Sequence, residues 1–320
     1  MPMTNVLARP CDYAGDIEPI IALLINYRTA ASLHDTYPHP WRLRLLLSSR
    51  VWDASQDSRI WEDGNGRLAA FAMLWRRRPD SPYLALERFV DPAGVTDDLV
   101  VFTLQWATAR AQAIAQELDE PLTLYANRFA TAVHPNDPLE TYGFTVLPPD
   151  PDAQGVYFAR PLADDIPAPA LPRGYFIRPL QSAAELEAYG ELYDFTAVNP
   201  HHRQEMFNSD EYNHLVAVSD TGQFVAYCEY SFCRAEWAQS GRRRGWIDYI
   251  GVRPENRRQG LGRAMLLAGL RQLQAAGVEI ALLGTNTANK SAVNLYETTG
   301  FTRLATPETP AYQKSYSPHA

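Results

Sequence analysis

Apolar and polar residues alternate from Trp246 to Val252, and the pattern then changes period. The alternation predicts a β-strand with Trp246, Asp248, Ile250 and Val252 on one face and Ile247, Tyr249 and Gly251 on the other. Further on, Leu266, Leu267, Leu270 and Leu273 recur at helical spacing until Gly277 supplies a stop. Strand and helix are joined by Arg253-Pro-Glu-Asn-Arg-Arg-Gln-Gly-Leu-Gly-Arg263. A helix start leaves its first backbone N–H groups unsatisfied and carries the positive end of the helix dipole. Gly260 and Gly262 bring no side chain that would hold an anion's oxygens away. The join is therefore expected to bind a phosphate or pyrophosphate.

The same succession of elements occurs twice along the chain. A turn and strand at Glu62 to Trp75 is answered by another at Ser219 to Ser231, Phe89-Val-Asp-Pro92 by Gly251-Val-Arg-Pro254, and Thr141-Tyr-Gly-Phe144 by Thr299-Gly-Phe301. Helical segments at Ile17 to Tyr27 and Ala183 to Tyr193 precede the two sets, and Leu99 to Leu118 reads as an amphipathic helix matching the one after Gly262. After Pro92, however, the first copy runs Ala93-Gly-Val-Thr-Asp-Asp98, with acids where the second has arginines and glycines. It keeps the fold and loses the anion turn. Prolines 161, 167, 169 and 172 suggest a stiff connection between the copies. The expected division is 1–160, a Pro-rich linker at 161–173, and 174–320. Each half is expected to be an α/β (α+β) domain, a mixed, mostly antiparallel twisted sheet flanked by helices.

A length of 320 residues suits two domains, and 46% apolar residues can fill both cores. The formal charge of −8 argues against general binding to nucleic acid or a membrane surface, so any anion site is local. Cys11, Cys228 and Cys233 are odd in number and lack CxxC spacing, which suits a reducing, cytoplasmic compartment and neither a disulfide framework nor a zinc site. His201-His202 and His214 show no metal-ligand spacing. No stretch reads as a leader or a membrane span.

Beyond the helix, Val278 to Gly284 reads as a strand, and Thr285 to Phe301 as a polar turn, a short helix ended by Gly300 and the start of a strand. Two motifs now stand in order: Arg257-Arg-Gln-Gly-Leu-Gly262, and Asn289, Ala292, Leu295, Tyr296, Gly300 and Phe301 at fixed spacing. On these residues the region from about Gly174 to Ser317 resembles the GNAT superfamily of N-acetyltransferases, and the first copy resembles its fold more faintly. The resemblance implies that acetyl-CoA is the cofactor. Its pyrophosphate would lie on the backbone amides of Arg258, Gln259, Gly260, Gly262 and Arg263, in a pattern that opens at Arg257. It further implies that the strand before the turn splays from its neighbour, with Ile250 and Val252 beside the thioester, that Asn289 contacts the cofactor arm, and that Tyr296 is the general acid near the sulfur.

An amine must lose a proton before it attacks a thioester, and a departing thiolate gains from receiving one. Asp248, and after it Glu229 on the preceding strand, are the candidate bases. Cys228 and Cys233 have no histidine at a nucleophile's spacing, so direct attack in a ternary complex is expected. A short turn with a third glycine would mark a dinucleotide fingerprint, but Met265 holds that place. Bland roles compete with each reading. Tyr296 suits a core, either carboxylate suits an ion pair, and Arg242-Arg-Arg244 suits a solvated hairpin tip. The acceptor expected is a primary amine of a small molecule, with no nucleic acid or membrane partner. The competing class is a non-catalytic acyl-CoA-binding or regulatory protein, and a third possibility is transfer of a longer acyl group.

Overall fold

A computed structural model describes residues 6–48, 53–76, 80–148, 154–163, 165–192, 209–305 and 311–319. His201 and His202 lie outside the described residues. The first elements are β1 (Leu7–Arg9), α1 (Tyr13–Ala31), α2 (Pro40–Leu47), α3 (Ala54–Asp57), β2 (Ser58–Glu62), β3 (Leu68–Trp75) and β4 (Tyr83–Val90). They are followed by α4 (Asp97–Leu118), β5 (Leu122–Asn127), β6 (Thr145–Val146), β7 (Gly155–Pro161) and β8 (Tyr175–Pro179). Next come α5 (Leu186–Leu192), β9 (Tyr212–Ser219), β10 (Phe224–Phe232), α6 (Arg234–Ser240) and β11 (Arg244–Val252). The last are α7 (Leu261–Ala275), β12 (Ile280–Asn286), α8 (Lys290–Glu297), β13 (Thr302–Arg303) and β14 (Ala311–Tyr316). Among the described residues no helix is long and apolar enough to cross a membrane.

The strands form two seven-stranded sheets of like design, in the orders β1-β2-β3-β4-β5-β14-β6 and β8-β9-β10-β11-β12-β7-β13. In each sheet one neighbouring pair is parallel, β4 with β5 and β11 with β12, and the other pairs are antiparallel. This is the mixed, mostly antiparallel sheet expected of each copy.

The boundaries differ from the expected division. One compact unit comprises Met1–His34, Pro38–Pro149 and Pro307–Ala320, and the other Asp35–Tyr37 and Asp150–Thr306. β7 fills the slot between β12 and β13 in the second sheet, and β14, from the end of the chain, fills the matching slot between β5 and β6 in the first. A strand's alternation records which face it buries and not which of two similar edges it joins, so this exchange has no signature in the pattern. Nor is 161–173 a free linker. Leu162 and Ile166 are buried in the core of the second unit, and their carbonyls accept from Gln274 Nε2 at 2.7 Å and Arg271 Nη1 at 2.7 Å.

α7 packs its leucine face on the second sheet. Leu261, Met265, Leu266, Leu270 and Leu273 share one core with Phe158, Cys228, Tyr230, Ile247 and Phe301. The approach is close enough that a Cβ on Gly269 would lie 2.7 Å from Cys228 Sγ. Where one helix was expected from Ala183 to Tyr193, a 3₁₀ turn at Ala183–Glu185 leads into α5, and Tyr193 lies outside the described residues.

Candidate functional site: a forked strand pair and a glycine turn

The turn between β11 and α7 is a single 3₁₀ turn, Pro254–Asn256, followed by Arg257, Arg258, Gln259 and Gly260. Arg258 has φ +60 and Gly260 φ +88. The left-handed conformation is mildly costly for an arginine and free for a glycine. Gly260 caps α7 with no side-chain hydrogen bond. Among the described residues no protein group accepts the backbone N–H of Gln259, Gly260, Leu261, Gly262 or Arg263. A Cβ on Gly260 would meet nothing within 4 Å, and one on Gly262 would meet only Val252 at 3.7 Å and Leu295 at 3.8 Å. The five amides thus surround open space. The side chains of Arg257 and Arg263 are exposed but tethered, Arg257 Nε donating to Val252 O at 3.1 Å and Arg263 Nη1 to Thr298 O at 3.1 Å. Arg258 and Gln259 are exposed.

The start of α4 contrasts with this. Thr96 caps it by accepting from Leu99 N at 3.2 Å, and Asp97 and Asp98 stand in its first turn. Those acids already complement the helix dipole, which is worth about 0.3–1 kcal/mol for each charge near a helix end. The first turn of α7 holds no acid.

β11 reaches the turn with an open edge. Arg253 N donates to Val225 O on the β10 side at 2.9 Å. Antiparallel pairing alternates, so Gly251 also points its backbone groups at β10 while Ile250 and Val252 point theirs away. The bond from Arg257 to Val252 O lies on that outer side. β11 pairs in parallel with β12 only at Arg244–Ile280, Gly245–Ala281 and Trp246–Leu282. The two strands then part, with β11 running on to Val252 and β12 to Asn286. Among the described residues this fork leaves the outer edge at Ile250 and the N–H of Val252 available for an extended ligand to pair with, the Val252 carbonyl being held by Arg257.

One expectation is overturned in the same strand. Across β10, Tyr230 faces Ile247 and Glu229 faces Tyr249, so Asp248 has no residue opposite it. This β-bulge inserts one residue and resets the alternation. Ile247, Ile250 and Val252 therefore share the α7 side with Cys228 and Tyr230. Trp246, Tyr249 and Gly251 lie on the other side with Ser231, Glu229 and Tyr227. Asp248 does not share a simple alternating face with Ile250 and Val252, and its partly buried carboxylate sits at the bulge.

Glu229 is fully buried. Its Oε1 accepts from Tyr189 Oη at 2.6 Å, its Oε2 accepts from Tyr212 Oη, and His214 Nε2 lies 3.9 Å from Oε1. Burial, followed by the nearby Glu229 charge, holds the Tyr212 hydroxyl well above its ordinary pKa. Tyr296, on α8, belongs to the α7 side and packs edge-on to Phe158 at 5.7 Å and against Phe301 at 6.1 Å. Burial pushes its hydroxyl up to about 12. Asn289 is the N-cap of α8, its Oδ1 accepting from Ala292 N at 3.2 Å. The three cysteines are buried, and burial raises the Cys228 thiol well above its usual range.

Residues 177–301 match the Acetyltransferase (GNAT) family. Residues 177–301 form a GNAT domain. A mycothiol acetyltransferase of Thermobispora bispora is 32% identical over 154 residues, covering 45% of this chain and 52% of its own length. The chain spans about half the length of the curated relatives it matches. Two solved structures share the fold over 97% of this chain. One is a tandem GNAT protein from the clavulanic acid biosynthesis pathway, with TM-score 0.59, 17% identity and 98% of its chain covered. The other is a GCN5-related N-acetyltransferase from Sphaerobacter thermophilus, with TM-score 0.56, 20% identity and 95% covered.

The first unit has the same fork as the GNAT domain, since β4 and β5 pair only from Tyr83–Thr123 to Leu86–Ala126. β4 has no bulge against β3. Its Arg88, buried at the fork, donates to Asp137 and to Asn127 O at 3.3 Å and stacks 4.3 Å over Phe129. The protein's own side chains thus fill the opening. The GNAT domain also holds features that motif spacing did not signal: the bulge, the tyrosines around Glu229, and the ion pair between Arg244 and Asp35. That pair corrects the hairpin-tip reading for Arg244, while Arg242 and Arg243 are exposed in the connection as expected. α6 occupies the connection, and Arg244 is a partly buried strand residue.

Proposed function

We propose that the GNAT domain is an acetyl-CoA-dependent N-acetyltransferase, moving an acetyl group to a primary amine of a small molecule by direct attack. The observation that carries this reading is the continuity of the fork, the open edge at Ile250 and Val252, and the uncapped glycine start of α7. These residues fit the cofactor. The edge suits an amide-bearing arm, and the amides of Arg258, Gln259, Gly260, Gly262 and Arg263, in the turn that Arg257 opens, suit a pyrophosphate. The exposed side-chain amide of Asn289, beside its capping Oδ1, is the further polar contact proposed for the arm.

Bound acetyl-CoA would supply an acetyl group activated as a thioester. The backbone N–H groups at Ile250 and Val252 provide donors for an oxygen that gains negative charge. α7 and α8 cover one side of the sheet, so the amine arrives from the side of Tyr249 and Glu229. Asp248, partly exposed at the bulge, is the base that takes its proton. Glu229 stands behind it, buried and held by the hydroxyls of Tyr189 and Tyr212. Tyr296 lies on the opposite side and holds the proton that the leaving sulfur receives. Base and acid on opposite sides of the strand suit a reaction that removes a proton at one end and returns one at the other. The first unit acts as scaffold, and one cofactor site per chain follows.

The burial and pairing of Glu229 is the observation that favours the alternative, a non-catalytic acyl-CoA-binding protein. A panel of primary amines with acetyl-CoA, followed by thiol release, tests the two. Amine-dependent release by the wild type, reduced in Asp248→Asn and Tyr296→Phe, supports transfer. CoA binding without release for any amine supports the alternative.

A further inference from the structure

The segment Asp35–Tyr37 belongs to the second unit although it comes from near the start of the chain. Its placement is built, not incidental. Arg28, 1% exposed, donates to His34 O at 2.9 Å and to Pro38 O at 2.7 Å, fixing the carbonyls on either side of the segment. Asp35 pairs with Arg244, with Nη2 to Oδ2 at 3.2 Å, and Tyr37 N donates to Tyr157 Oη at 3.1 Å. The Tyr37 ring stacks on Trp246, centroids 4.7 Å apart and planes at 28°, and meets Tyr157 at 5.4 Å.

Trp246 is the last β11 residue paired with β12, and Gly284 lies in the part of β12 beyond the fork. A Cβ on Gly284 would stand 2.9 Å from Tyr37 Cε2 and 3.2 Å from the Tyr157 ring. The glycine is there to admit the two rings, since its backbone is not in the left-handed region. Tyr37 thus bridges the two strands at the point where they part. It does so on the side away from α7, the side that also bears Tyr249 and Glu229.

We propose that Tyr37 is a positioning residue for the acceptor: with Tyr157 it forms a fixed aromatic wall that selects a primary amine carried on a compact ring. This rests on the acetyltransferase reading above. Amine, thioester and base must meet at the fork, and α7 and α8 close one side of it. The body of the acceptor then lies on the other, against the partly buried rings of Tyr37 and Tyr157. A compact saturated ring gains contact area and C–H to π-face attraction on such a wall, whereas a flexible chain must lose rotamer freedom to do the same. The stack on Trp246 and the Asp35–Arg244 pair hold the wall in place before the acceptor arrives, so little ordering cost remains.

The test uses two conjugates in which the sulfur of CoA is joined through a –CH2–CO– bridge to the nitrogen of cyclohexylamine or of n-hexylamine. They carry equal carbon counts and differ in the ring. Calorimetry compares both with CoA on the wild type, Tyr37→Ala and Tyr37→Phe. The wild type is expected to bind the cyclohexyl conjugate about tenfold tighter than the hexyl conjugate. Tyr37→Ala is expected to lose that margin while binding CoA within about twofold of wild type, and Tyr37→Phe to keep it. Equal affinity of the wild type for the two conjugates overturns the wall. So does a Tyr37→Ala variant that weakens CoA and both conjugates alike, which marks a merely structural role. Failure of the wild type to bind CoA itself sinks the underlying reading, and the wall with it.

Discussion

Arg88 and Ile250 occupy the same place in the two sheets: Arg88 faces Ala72 two residues before the end of β4, and Ile250 faces Cys228 two residues before the end of β11. One fills its fork with a guanidinium bound to Asp137, and the other leaves its fork lined by an apolar side chain and an open backbone edge. Arg88→Ala would strand the buried Asp137 carboxylate, and breaking a buried pair this way costs about 3–5 kcal/mol. Denaturant unfolding checks this. The variant is not expected to gain a second CoA site, because α4 keeps its acidic, capped start.

Gly251 and Gly262 separate packing from ligand binding. A Cβ on Gly251 would stand 2.0 Å from the Tyr227 ring, so Gly251→Ala displaces that buried ring from its place in the core. A loss of about 1–3 kcal/mol or more is expected from such overpacking. Gly262→Ala meets only ordinary contacts at 3.7 and 3.8 Å. It should leave Tm within about 2 °C of wild type, yet weaken CoA, because the methyl group enters the anion space. Thermal melts and calorimetry on both variants distinguish these effects.

Tyr296 sets an expectation for pH. A hydroxyl pushed up to about 12 by burial stays protonated, and able to donate, across the neutral and moderately alkaline range. The kcat profile should therefore show no descending limb below about pH 10. A descending limb centred below that value that vanished in Tyr296→Phe would contradict the assignment. The variant itself is expected to lose about a hundredfold in kcat.

Glu87 is the other group whose pH response can be measured. Burial raises its carboxyl from 4.5 to about 7, against smaller opposite effects from the Trp75 N–H and from Arg42. Below the unfolded value it is protonated in both states and costs nothing. Between the unfolded and folded values the unfolded state is ionised while the native state still holds its proton, so stability falls as the pH rises through that window and levels off above the folded value. Glu87→Gln should be more stable than wild type by about 1–2 kcal/mol at pH 8, with the gap closing below about pH 4.5. Urea unfolding at the two pH values checks the sign.

Much of the site could be read in the sequence because its chemistry is local. Gly260, Gly262 and the leucines of α7 specify a bare helix start within a few residues, and the repeat appears as matched runs in fixed order. The bulge at Asp248 was not legible, because it exists only in register with β10. The exchange of β7 and β14 is a choice between two similar edges. Tyr37 is more than 200 positions from Trp246, and only the missing side chain of Gly284 hints at a ring above it.

The central claim is that the fork and glycine turn of the GNAT domain hold coenzyme A, once per chain. Titration calorimetry of CoA into the wild type and Gly260→Glu tests it most directly, since the substitution places a carboxylate in the anion space. One site is expected in the wild type and none detectable in the variant. Unchanged affinity in Gly260→Glu, or two sites in the wild type, would contradict it.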